Sequence, residues 1–258
     1  MRRSKGIIPF VIGLILIALS FHPIFLMVRE TVLDSHIISQ YAVTQIINVK
    51  NEFAPGEKFQ PRHDLTAPLK WKGNTIEVIS EDTGKLAPLT PFDKKARHIM
   101  NIQVSINGND LTPTEAWFNH NSTEDSRFLS WLNIVNVKDN TTGQERLALV
   151  QRLTGDGIAG ESILQHQNAQ TWRITYVDQS GKTSQEIFTY PERGDHLLGV
   201  KLIQVSQESE SFIGFKSDIL YYYPSLIFPL IYPWGVCAIG IIAVIIGIIR
   251  FILSKKDA

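Results

Sequence analysis

The sequence predicts a mainly β fold: an antiparallel β-sandwich or barrel-like domain flanked by two transmembrane α-helices. Three observations carry this. Two apolar runs of about 20 residues stand near the two ends of the 258-residue sequence, each able to cross a ~30 Å hydrocarbon core at 1.5 Å per residue. Between them, some eight short segments of alternating polarity are separated by turn residues rather than by amphipathic helices. The charge is also uneven. Lys+Arg and Asp+Glu balance at 25 each, yet Arg2, Arg3, Lys5, Arg250, Lys255 and Lys256 sit at the ends, opposed there only by Asp257. The middle therefore keeps 19 basic and 24 acidic residues, a net of −5.

The first run, IIPFVIGLILIALSFHPIFLMV, covers residues 7–28, and the second, WGVCAIGIIAVIIGIIRFIL, covers 234–253. Arg250 can carry its guanidinium to the headgroups along its own aliphatic stem. Basic residues before the first span and at the end of the second predict, by the positive-inside rule, that segments 1–6 and 254–258 are cytoplasmic. The expected location is the cell inner (plasma) membrane, with residues 29–220 forming an extracytoplasmic, periplasmic β-rich domain. Tyr221, Tyr222, Tyr223, Tyr232 and Trp234 fit an interfacial aromatic belt. Pro224, Pro229 and Pro233 break the apolar run there, so 221–233 reads as an interfacial elbow. A cleaved signal peptide is the competing reading of the first run, with Ala18-Leu19-Ser20 as its cleavage site. The run continues from Phe21 to Val28, longer than such a peptide needs, and either reading exports the middle.

Within residues 29–220, Arg29 to Gln40 continues the first helix, with Val32, Leu33, Ile37 and Tyr41 at helical spacing. Alternation then takes over. YAVTQIINVK, NTIEVIS and HIMNIQVSI read as strands, the last meeting Asn107-Gly108, a hairpin signal. WLNIVNVK and ERLALVQRL flank DNTTGQ as a second hairpin. TWRITYV and TSQEIFTY flank DQSGK as a third, and LLGVKLIQV supplies a further strand over 197–205. Proline and glycine make 51–70 a loop, and Pro88 and Pro91 mark another. Alternating strands of this kind bury one face and wet the other.

Chemistry is harder to find. TGDGIAGES contains Gly155, Gly157 and Gly160, a G-x-G-x-x-G, and Asp178 ends an apolar run eighteen residues later. A dinucleotide site needs a parallel strand–helix–strand unit around that loop. ESILQHQNAQ has only Ile163, Leu164 and Ala169 to cover a sheet, and a hairpin follows Asp178, so the glycines read as a surface loop with Asp156 and Glu161 solvated. No dinucleotide is expected. His63, His98, His120, His166 and His196 form no metal-ligand spacing, and the only cysteine, Cys237, lies in the second span. The exported part thus has no disulfide. His22 reads as an interfacial residue of the first span. His63–Asp64 and Asp195–His196 are sequence neighbours, which point to opposite faces of a strand. Gly160-Glu161-Ser162 lacks the second glycine of a nucleophile elbow. Asn121 and Asn140 match the short glycosylation acceptor pattern. An acidic middle excludes a nucleic-acid binder, which needs a cationic stripe.

No catalytic, cofactor-binding or metal-binding residue is assigned, and no cofactor is expected. Gly6, Gly13 and Ser20, and Gly240, Gly247 and Ser254, recur every seven residues, a spacing that lets helices approach closely, either each other or a partner's. The expectation is a non-enzymatic accessory or scaffold subunit that docks into a membrane-protein complex and binds a partner or envelope component through its exported domain. The alternatives are a membrane-tethered envelope enzyme, hydrolytic or metal-dependent, and a ligand-binding module serving a transporter.

Overall fold

The structure, a computed structural model, describes the chain except residues 1–3, 47–66, 90–94, 119–130, 154–166, 208, 218, 221–222 and 257–258. The chain divides into two compact units, residues 1–34 with 208–258, and residues 35–207.

Among its described residues the larger unit holds ten strands: β1 (Tyr41–Gln45), β2 (Leu69–Trp71), β3 (Asn74–Leu86), β4 (His98–Ile106), β5 (Asn109–Asp110), β6 (Thr114–Phe118), β7 (Leu132–Asp139), β8 (Glu145–Arg152), β9 (Thr171–Val177) and β10 (Thr183–Thr189). They form two open sheets, one ordered β1-β7-β8-β9-β10, the other β2-β3-β4 with both β5 and β6 paired to β4. Every pairing is antiparallel. The three hairpins expected from sequence form. Asn107 and Gly108 close theirs with φ of 52° and 78°, the doubly positive pair of a type I′ turn.

The centre of the first sheet, β7 to β9, is buried on both faces. Leu132, Ile134, Leu147, Leu149 and Val177 pack against Ile76, Ile102, Val104 and Phe118 of the second sheet. The alternate residues Val135, Val137, Ala148, Val150, Trp172 and Ile174 pack against Leu198, Leu202 and Ile203. This corrects two expectations. The segment LLGVKLIQV is not a strand but carries helix α2 (Gly199–Gln207). Its Val200/Leu202/Gln204 alternation coexists with a Leu198/Leu202/Ser206 helical stripe, and nine residues are too few for periodicity to decide. What decides is the apolar second face of the sheet, which needs a cover. The strands β7, β8 and β9 also do not alternate between core and water; they read as near-continuous apolar runs because both faces are covered. The layering is sheet, sheet, helix, and strands account for about 36% of the described residues, so "mainly β" overstates a fold that also contains long helices, and neither sheet closes into a barrel.

Two further differences are local. Of the expected loop 51–70, residues 51–66 lie outside the described residues, but Leu69 and Lys70 belong to β2. The Lys72-Gly73 turn, with φ of 47° and 84°, folds β2 onto β3, a hairpin hidden by the neighbouring prolines. The TEAWF segment, passed over in the sequence, is β6.

Side chains finish what the backbone leaves open. The Val205 carbonyl in the last turn of α2 accepts from Gln45 Nε2 at 2.8 Å and Asn133 Nδ2 at 3.2 Å, partners that such terminal carbonyls require. Asn107 Nδ2 donates to Asn74 Oδ1 at 2.8 Å, and Asn74 Nδ2 donates to the Asp178 and Gln179 carbonyls at 3.4 and 3.3 Å. Turns of both sheets thus meet at one asparagine. A side chain at Gly181 would stand 2.6 Å from Asn74 Oδ1, so that turn needs glycine for space as well as for its φ of 84°.

The smaller unit contains most of α1 (Ser4–Gln40), the two-residue strands β11 (Ser209–Glu210) and β12 (Lys216–Ser217), and α3 (Trp234–Lys256). Both α1 and the helical stretch 228–254 are long and apolar enough to cross a membrane. Within the expected elbow, Phe228–Leu230 is a single 3-10 turn with Pro229 buried.

Leu149 is fully buried and Ile187 is 58% exposed. Leu149→Ala should cost about 2–5 kcal/mol and Ile187→Ala under about 0.5 kcal/mol, read as thermal unfolding of the full chain in detergent. Three exposed carboxylates also predict an acid limit. The Thr142 and Thr141 backbone N–H groups hold Asp139 below its ordinary value, the Ser180 hydroxyl and the Lys182 N–H do so for Asp178, and the Thr189 N–H and hydroxyl for Glu192. A depressed folded-state value means that the stabilisation is whole above the ordinary carboxylate range and is lost as pH falls below about 4. Asp178→Asn should make the loss of stability on acidification shallower, measured as melting temperature against pH.

Candidate functional site

The seven-residue spacing in the sequence becomes a seam in the structure. The two long helices run antiparallel, with Gly6 beside Gly247 and Gly13 beside Gly240. A Cβ placed on Gly6 would lie 2.9 Å from the Gly247 carbonyl oxygen, and one on Gly13 would lie 2.5 Å from that of Gly240. From the other side, a Cβ on Gly247 would stand 2.8 Å from the Phe10 backbone nitrogen. Only glycine allows main chain to meet main chain at such distances. Of the two readings of this stripe, the structure realises the one in which the two long helices pack on each other.

Ser20, fully buried, continues the stripe and returns its hydroxyl to the Leu16 carbonyl at 2.9 Å. Nearby, the Tyr232 hydroxyl donates to the Leu19 carbonyl at 3.0 Å. Ser254, the third small residue on α3, is only half-buried and donates to Phe251 O.

Counting on from Ser20 finds what the sequence reading missed. Met27 and Asp34 are buried at the next two seven-residue steps, and Pro23, Glu30 and Ile37 are buried three residues after Ser20, Met27 and Asp34. The apolar set expected at helical spacing, Val32, Leu33, Ile37 and Tyr41, is therefore the buried face only in part: Ile37 is buried, but Val32 is 62% exposed. Met27 packs with Ile219, Leu220 and Trp234, and Phe215 stacks on Trp234 with ring centres 5.0 Å apart. The Ser217 hydroxyl donates to the Glu30 carboxylate, and Thr31 Oγ1 donates to the Lys216 carbonyl at 3.3 Å. These bonds tie the β11–β12 hairpin to α1. A heptad read from Gly6 was the available signal; acidic residues at its later positions disguised it.

The other sequence candidates do not converge. His98 pairs with Asp82 at 3.0 Å, and His196 pairs with Glu186 at 3.0 Å rather than with its neighbour Asp195. His22 is exposed on α1. His63, His120, His166, Asp64 and Asn121 lie outside the described residues, and so does the whole glycine motif from Gly155 to Ser162. The strands on either side of that motif, β8 and β9, are adjacent and antiparallel, whereas a dinucleotide-binding crossover joins parallel strands. Asp178, the residue such a site would use on a ribose, binds its own turn through Ser180 N at 2.8 Å and Ser180 Oγ at 2.6 Å. Among the described residues, no three His, Cys, Asp or Glu side chains are grouped to hold a metal.

One polar cluster lies between the sheets. Arg173, 4% exposed, donates through Nε and Nη2 to Gln151 Oε1 at 3.1 and 2.9 Å, and through Nη2 to the Thr112 carbonyl at 2.6 Å. Gln151 in turn donates to Thr114 Oγ1 at 3.4 Å. Burial lowers the guanidinium pKa, but neutral acceptors keep its protons engaged. Gln151 and Arg173 face the second sheet in register on adjacent strands, and the cluster fastens β9 to the segment leading into β6.

In comparisons with protein-family models, curated proteins and solved structures, nothing matches the chain. The helix seam is the feature most directly open to test. Gly13→Leu should lower the thermal midpoint of the detergent-extracted protein, at a cost of about 1–3 kcal/mol from overpacking. Ile12→Leu, at a position 49% exposed, should leave it unchanged.

Proposed function

We propose that the protein is a two-pass membrane protein that serves as a non-enzymatic accessory or scaffold subunit, its sheet-and-helix body lying outside the cytoplasm and binding a partner or envelope component. The observation that carries this is the division of labour on the two long helices. Their glycine faces are consumed by each other, while Ile8, Ile12, Ile15, Leu19, Ile239 and Ile246 remain exposed, surfaces suited to lipid and to the helices of other subunits. The placement of both ends on the cytoplasmic side rests on Arg2, Arg3, Lys5, Arg250, Lys255 and Lys256 and the positive-inside rule.

Mild detergent extraction of the tagged protein from its native membrane, followed by native mass spectrometry, tests the proposal. Stoichiometric membrane subunits are the expected companions. A protein that emerges alone under conditions that preserve other complexes would remove the accessory role.

A further inference from the structure

The two helices leave a cleft at one end of their seam. It measures about 450 Å³ and is lined by Gly6, Ile7, Phe10, Val11, Gly247 and Phe251, among others. Its size falls in the ~300–1,000 Å³ range of ligand pockets. The glycines create it: Gly6 and Gly247 bring the backbones together and contribute no side chains, so Phe10 and Phe251 flank an open slot. The lining is aliphatic and aromatic throughout, which selects an alkyl occupant.

The end of the helix pair at which the cleft sits is also the basic end. Running outward from Gly6, the sequence gives Lys5, Arg3 and Arg2; running outward from Gly247, it gives Arg250, Lys255 and Lys256, with Asp257 the only acid. The exposed Arg250 has its Cβ only 3.5 Å from where a Gly6 side chain would begin. The Arg250 side chain therefore stands beside an apolar slot, at the end of the helix pair where the sequence gathers its basic residues. On α1 the slot runs only from residue 6 to residue 11, about 8 Å at 1.5 Å per residue. A partner helix about 10 Å wide would require a groove along much of the span; a single hydrocarbon chain does not.

We propose that this cleft holds one acyl chain of an anionic phospholipid whose headgroup is bound by Arg250. Basic pockets between membrane helices recognise acidic headgroups in this way. The inference rests on the reading that α1 and α3 span a membrane.

The test uses the purified full chain in detergent, stripped of lipid and then offered phosphatidylglycerol or phosphatidylcholine with identical acyl chains, with retention read by native mass spectrometry. One phosphatidylglycerol should be held per chain under activation that removes phosphatidylcholine. Arg250→Gln should cut phosphatidylglycerol retention about five-fold, the worth of one cation near an anionic headgroup, and leave phosphatidylcholine unchanged. Val11→Trp, which narrows the cleft, should weaken retention of both lipids, whereas Ile242→Trp on an exposed face should alter neither. Equal retention of the two lipids by the parent protein, or phosphatidylglycerol held undiminished by Val11→Trp, would overturn the proposal. So would a co-purifying helix whose removal is needed before any lipid binds. Alkaline carbonate extraction separates the two levels of failure. A chain that stays in the membrane pellet yet holds both lipids alike loses only the lipid site, while a chain released by carbonate loses the membrane reading with it.

Discussion

A buried position recurs every seven residues along α1, at Gly6, Gly13, Ser20, Met27 and Asp34. A straight α-helix drifts by about 20° per heptad against such a repeat, so the stripe stays on one face only with the slight winding of a coiled coil. The residue types along it are set by what they meet. Where main chain meets main chain, at Gly6 and Gly13, a single carbon is excluded. Where the chain after the body returns to α1, longer residues take over, and Glu30 accepts from Ser217. On the proposal that both helices span a membrane, close packing of this kind lacks the hydrophobic driving force that assembles soluble helices, because lipid is as apolar as leucine. Shape and hydrogen bonding must hold the pair, which is why the seam is built from glycine and serine.

In the body, the corresponding constraint is the double burial of the central strands β7, β8 and β9. Once both of their faces are apolar, a second sheet and a helix follow as covers. The short helix α2 owes its conformation to this demand more than to its own nine residues. Its start is pressed so near the Tyr190–Asp195 turn that a Cβ on Gly199 would collide with the Arg193 carbonyl, and its end is held by two amides from β1 and β7.

Local signals were legible in the sequence. The long apolar helices, the Asn-Gly turn and the three hairpins each announce themselves within ten or twenty residues. What was obscured depends on distant chain. LLGVKLIQV fits a strand or a helix until the apolar face opposite is known. The Lys72-Gly73 hairpin was masked by prolines a few residues upstream. The buried stripe beyond Ser20 changed character, from small to acidic residues, so that hydrophobicity pointed to Val32 instead. The histidines and carboxylates looked available for chemistry in the sequence; in the structure, Asp82 and Glu186 each engage a histidine, and Asp139, Asp178 and Glu192 cap turns.

Arg173 has a consequence for how the body reaches a unique structure. In a sheet wetted on one side, slipping a strand by one residue turns its apolar set to water, and the error corrects itself. A strand covered on both sides has lost that safeguard, since either phase buries apolar atoms. The polar residues restore it. In the correct phase the Arg173 guanidinium meets Gln151 and the Thr112 carbonyl, and Asn133, on the opposite face, meets Val205 O. A slip would carry the guanidinium among Trp172's neighbours on the helix side and strand its charge there, which low dielectric penalises heavily. Arg173 thus proofreads strand alignment, allowing the centre of the sheet to be greasy throughout without becoming ambiguous.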